Sequence, residues 1–61
     1  MKIKKAEFLG IDLRVWFENG TTMLFCGNAI DSFYESIGGF GKPEGREFDL
    51  KKFLKIEKRR Y

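Results

Sequence analysis

The dipeptide Asn19-Gly20 lies between two apolar, β-favouring runs, residues 11–17 and 21–26. Asn-Gly in that setting is the strongest short-range hairpin signal, because both central residues of a type I′ turn need positive φ. A loop of these two residues alone also fixes the register. Glu18 then faces Thr21, Phe17 faces Thr22, Trp16 faces Met23, Val15 faces Leu24, Arg14 faces Phe25 and Leu13 faces Cys26. Side chains alternate along a strand. One face therefore holds Leu13, Val15, Phe17, Leu24 and Cys26, all without charge. The other holds Arg14, Trp16, Glu18, Met23 and Phe25. The first face predicts a core and the second a surface that meets something else.

Upstream, residues 2–9 alternate moderately and read as a first strand. A loop from Leu9 to Asp12 sets Phe8 against Leu13, Glu7 against Arg14, Ala6 against Val15 and Lys5 against Trp16. That register makes one opposite-charge pair. It also puts Lys5 where it can lie on the Trp16 ring. The expectation is a three-stranded antiparallel meander.

Residues 28–37 carry Ile30, Phe33, Tyr34 and Ile37 at i, i+3, i+4 and i+7, a single helical stripe. Asn28 suits the N-cap, Asp31 the first turn and Gly38 the position that closes a helix. The stripe predicts cover for the uncharged hairpin face. Residues 38–45 hold four glycines and the chain's one proline, a loop. Its Gly-Lys pair is not a phosphate loop: Ser36 stands where the first glycine belongs, Pro43 where a hydroxyl belongs, and the segment follows a helix. Phe40, alone among these glycines, either folds back to find cover or protrudes as part of a binding surface.

In the tail, Asp49 is placed to cap a helix, with Phe48 and Phe53 as a hydrophobic staple. Leu50, Phe53 and Leu54 share one helical face, and Ile56 alternates with Leu54. The expected outcome is a helical turn near 49–54 followed by a strand near 54–60. One continuous helix over 50–59 is the competing reading. Together the signals predict a single α+β domain over residues 1–61: a meander of three to four strands with one main helix on one face.

At 61 residues the chain buries about 60% of the surface its unfolded form exposes, so outside support is expected. Cys26 is the only cysteine and there is no histidine, which removes an internal disulfide and the commonest metal and acid–base ligand. No Ser–His or Cys–His nucleophile can be assembled. The carboxylates are scattered over turn, cap and surface positions. No enzyme activity, metal or cofactor is expected. Cys26 itself reads as a small buried hydrophobe. Nothing approaches the roughly 18 apolar residues of a membrane span, and the basic start is not followed by a signal-peptide core. The chain reads as soluble and cytoplasmic.

Charge is uneven. Residues 1–9 hold three lysines and one acid, residues 46–61 seven cations and three acids, and residues 10–45 two cations and five acids. These patterns support two binding roles. The first is a protein-binding module, an inhibitor or antitoxin-like factor that occludes a partner's surface through Arg14, Trp16, Met23, Phe25 and Phe40. Trp and Arg are enriched at hot spots and Met suits adaptable contacts. A homodimer would cover the same face. The alternative is a small basic nucleic-acid-binding protein using Lys51, Lys52, Lys55, Lys58, Arg59 and Arg60 on phosphates.

Overall fold

Strands β1 (Ile3–Leu9) and β2 (Asp12–Phe17) form the first hairpin. The computed structural model describes residues 1–60. The expected register holds throughout: Lys5 opposite Trp16, Ala6 opposite Val15, Glu7 opposite Arg14 and Phe8 opposite Leu13. Leu9 also pairs with Asp12, so the loop shrinks to Gly10-Ile11. Further back the ladder shifts by one, with Ile3 opposite Phe17 and Lys4 bulged out. Ile3 and Ala6 are three positions apart, so strict alternation would turn them to opposite faces. The bulge lets Ile3 point into the core, fully buried, while Lys4 stays in water.

Strand β3 (Thr22–Phe25) completes an antiparallel sheet of order β1-β2-β3. Here the expected register is corrected by one residue. Leu13 faces Phe25, Arg14 faces Leu24, Val15 faces Met23 and Trp16 faces Thr22. The loop has three residues, Glu18-Asn19-Gly20. Phe17 N–H donates to Thr21 O at 2.8 Å, and Gly20 N–H to Phe17 O at 3.0 Å. Only Gly20 takes positive φ, at 90°, whereas Asn19 does not. This is a turn closed by a left-handed glycine, not the two-residue I′ turn. Asn19 Oδ1 accepts the Thr21 N–H at 3.0 Å and holds it in place. A one-residue slip moves every side chain of a strand to the other face. Met23 and Phe25 therefore join the core side, while Leu24 and Cys26 turn outward.

Helix α1 (Asn28–Ser36) starts from Gly27 rather than from an Asn28 side-chain cap. Backbone bonds from Ala29 to Cys26 O and from Ile30 to Gly27 O, both 3.1 Å, serve the first amides instead. Its end follows expectation. Gly38, at φ 106°, and Gly39 donate to Glu35 O and Tyr34 O at 3.3 and 2.8 Å, the two bonds of a Schellman motif. The most buried side of α1 is Ser32, Phe33 and Ser36, with Ile30, Tyr34 and Ile37 half-buried on its flank. The stripe is rotated because a second helix lies along the small serines.

That helix, α2 (Leu50–Arg60), replaces the expected turn and strand. It is capped as the sequence suggests. Asp49 Oδ1 accepts the Lys51 N–H at 2.9 Å, and the Phe48 and Phe53 rings meet at 5.8 Å. Phe53 and Ile56 point inward, whereas Leu50 and Leu54 do not. Ser32 donates to Glu57 Oε2 at 2.6 Å, and Glu35 takes Arg59 and Arg60 at 3.3 and 3.2 Å, joining α2 to α1. The strand-like contribution of this region comes earlier. Gly45 N–H donates to Ile3 O at 2.8 Å, Ile3 N–H to Arg46 O at 2.9 Å and Phe48 N–H to Met1 O at 2.7 Å. Residues 45–48 thus cover the outer edge of β1.

Five phenylalanines, Phe17, Phe25, Phe33, Phe48 and Phe53, fill the space between sheet and helices. Phe25 sits among three of them, 4.7 Å from Phe33, 5.2 Å from Phe53 and 5.9 Å from Phe48 between ring centroids. Tilted and edge-on aromatic pairs at such distances are favourable beyond the area they bury. This cluster explains the β3 register: it buries Met23 and Phe25 in place of the smaller Leu24 and Cys26.

Candidate functional site

Both helices lie on one side of the sheet, so its other face is open. That face is built in rows across the three strands: Lys5–Trp16–Thr22, then Glu7–Arg14–Leu24, then Leu9–Asp12 with Cys26 beyond. Trp16 is half-buried under cations. Lys5 Nζ lies 4.8 Å and Arg14 Cζ 6.0 Å from its ring centre. Glu7 stands opposite Arg14 as expected, yet its carboxylate pairs with Lys5 at 3.7 Å. Arg14 Nε is buried with no hydrogen-bond partner among the described residues. A donor in that position costs stability unless a partner supplies an acceptor.

Of the residues expected to bind a partner, Arg14 and Trp16 share this face. Met23 and Phe25 do not, because the register turns them into the core. Phe40 is elsewhere, on the loop after α1. It is 75% exposed, yet its ring lies 5.1 Å from that of Tyr34, so it both protrudes and finds one neighbour. The loop beneath is held by Arg46, whose Nη1 donates to Gly39 O at 2.8 Å.

A further apolar cluster lies outside the residues expected from the sequence. Phe8, Leu9 and Ile11, at the β1–β2 turn, are 55%, 47% and 87% exposed. Phe8 is on the core side of the sheet, but α1 packs against β3, at the far edge from β1, and leaves it uncovered. The run Phe8-Leu9-Gly10-Ile11 thus presents apolar side chains where a turn is ordinarily polar. The signal was in the sequence, as an apolar residue on each side of a turn glycine. Phe8 and Leu9 fit a strand equally well, so the local pattern does not set the tip apart.

Cys26 is exposed rather than buried, which corrects the expectation. Its thiol is pushed up from the ordinary cysteine value, chiefly by the neighbouring Asp12 carboxylate, as a hydrogen-bond acceptor and as a charge. A neighbouring carboxylate disfavours the thiolate, so this is a poor nucleophile.

The alternative basic set comes together. Lys51, Lys52, Lys55, Lys58, Arg59 and Arg60 are all exposed on α2, with Glu57 the one acid of that helix. Arg59 and Arg60 are engaged by Glu35. A shallow concavity of about 770 Å³ runs beside the helix, lined by Glu35, Lys52, Lys55, Ile56, Lys58 and Arg59. Among the described residues no group of three or more His, Cys, Asp or Glu side chains is placed to hold a metal, and no helix is long and apolar enough to cross a membrane.

Fold and surface thus describe a small α+β protein with an open sheet face, an apolar hairpin tip and a basic second helix. No protein-family model matches the chain, and neither a curated protein nor a solved structure does.

Proposed function

We propose that this is a non-catalytic protein-binding module, an inhibitor or antitoxin-like factor that acts by occupying a partner's surface. The observation that carries the reading is the bare apolar tip Phe8, Leu9 and Ile11, of which Leu9 shares the open face with Trp16 and Arg14. Apolar side chains left in water on so small a domain mark an interaction site. The tip supplies anchors, and Arg14 and Lys5 supply cations at the rim, where they select a partner bearing carboxylates. Contact over this surface blocks whatever the partner does there. The exposed lone thiol of Cys26 fits a reducing compartment, consistent with a cytoplasmic role. The test compares tagged wild type with Ile11→Asp, a change in a fully solvated turn. A partner captured by wild type and lost by Ile11→Asp supports the reading. Equal capture by both overturns it.

The basic face of α2 favours a second reading, binding to a nucleic-acid backbone. Each phosphate neutralised releases counterions, so affinity falls steeply with salt. Titration of a labelled duplex and a labelled single strand at two ionic strengths separates the two roles. Absence of binding at low salt removes this one.

A further inference from the structure

The two edges of the sheet are treated very differently. The β1 edge is protected several times over. Residues 45–48 pair with it, Lys4 bulges from it, and Glu44 Oε2 accepts the Ala6 N–H at 3.4 Å. Lysine, a bulge and a covering segment are the devices by which proteins keep an edge from pairing. Among the described residues the β3 edge has none of them. From Thr21 to Cys26 there is no charge, no proline and no bulge.

The bonding pattern says which groups this edge offers. Phe17 N–H donates to Thr21 O, so Phe17–Thr21 is a bonded pair. Bonded pairs alternate along an antiparallel ladder, which makes Val15–Met23 and Leu13–Phe25 bonded as well. The N–H and C=O groups of Thr22 and Leu24 therefore point away from β2. On the open face above them is the Leu24 side chain, 48% exposed.

We infer that β3 pairs antiparallel with β3 of a second copy of this chain, joining the two sheets edge to edge. This pairing uses the β3 edge and not the partner surface proposed above. A two-fold axis perpendicular to the sheet keeps both sets of helices on one side. It requires residues of like face to be opposite, and the outward groups then select Leu24 opposite the partner's Leu24. That pair exchanges both of its hydrogen bonds. Each Cys26 N–H reaches the partner's Thr22 carbonyl. The two Leu24 side chains cover each other at the axis, and no like charges meet, because the strand has none. The same self-pairing at β1 would set lysines near lysines. Trp16 of each copy then lies one strand away from the junction, on a single open face.

Sedimentation equilibrium over a wide concentration range, with native-state hydrogen exchange, tests the inference. The chain's mass is 7.2 kDa, and twice that is expected as concentration rises. The Leu24 and Cys26 amides should become protected over the same range. Leu24→Pro removes an N–H that no described residue of the single chain accepts, a place where an edge strand tolerates proline. Leu24→Lys sets like charges opposite one another across the axis. Each should weaken association by at least about tenfold while the near-ultraviolet spectrum stays native. If Leu24→Pro fails to fold, Leu24→Lys and the exchange of the wild-type amides decide. A wild-type mass that stays at the single-chain value to millimolar concentration overturns the inference. So does a Leu24→Lys variant that associates as wild type does, or Leu24 amides that exchange freely at every concentration.

Discussion

Phe25 and Leu24 are neighbours whose roles the β3 register decides. Phe25 is 2% exposed and touches the rings of Phe33, Phe48 and Phe53, whereas Leu24 is about half in water. Truncating a buried phenylalanine to alanine costs about 3–5 kcal/mol, from lost transfer energy and the cavity left behind. A domain of this length has roughly 3–9 kcal/mol of total stability at about 0.05–0.15 kcal/mol per residue. Phe25→Ala should therefore consume most of it. With a urea dependence near 1 kcal/mol per molar for a chain this small, a loss of about 3 kcal/mol moves the midpoint down by about 3 M. Leu24→Ala, measured at low protein concentration so that association does not contribute, should cost about 1 kcal/mol or less. Urea melts of both variants, followed by Trp16 fluorescence and by circular dichroism, give the comparison directly. The two-residue Asn19-Gly20 loop would place Leu24 inside and Phe25 outside. Leu24→Ala as the costlier change would thus refute the register and the packing derived from it.

Three other perturbations probe separate features. Deleting Lys4 joins Ile3 directly to Lys5 in a regular ladder, still opposite Phe17 and facing the core, so it should cost about 1 kcal/mol or less in a thermal melt, whereas Ile3→Ala, which empties a buried isoleucine site, should cost about 2–5 kcal/mol. Asp49→Ala removes the acceptor for the Lys51 amide and should cost about 1 kcal/mol, read as a fall of several degrees in Tm. Because Asp12 raises the Cys26 pKa, alkylation by iodoacetamide should be slow at neutral pH and accelerate only above the pH at which a free thiol reacts; Asp12→Asn should shift that profile to lower pH, and an unchanged profile would remove Asp12 as the cause.

Much of the local structure was legible because it depends on neighbours in sequence. The first hairpin's register followed from which charges would oppose one another across it. The Asp49 cap and the Phe48–Phe53 staple were readable because a cap and its staple lie within one helical turn. The Schellman end at Gly38-Gly39 was readable for the same reason. The candidate site was less legible. Arg14 and Trp16 were placed on the open face because β2 alternates strictly. Met23 and Phe25 were misplaced because a single residue more in the loop inverts β3. The exposed tip at Phe8, Leu9 and Ile11 depends on how far the helices extend over the sheet, which no local pattern encodes.

The sequence alone determined that a meander precedes a helix, that β2 alternates between a core side and an open side, and that the chain holds no histidine and a single cysteine. These are properties of composition and of spacings shorter than one element. Tertiary structure decided the rest: the side of β3 that faces inward, the bulge that turns Ile3 into the core, and the serine side of α1 that meets α2. It also decided that residues 50–60 form one helix. Local preference there was balanced between helix and strand. The helix prevails because it buries both Phe53, within the aromatic cluster, and Ile56, and leaves its lysines in water.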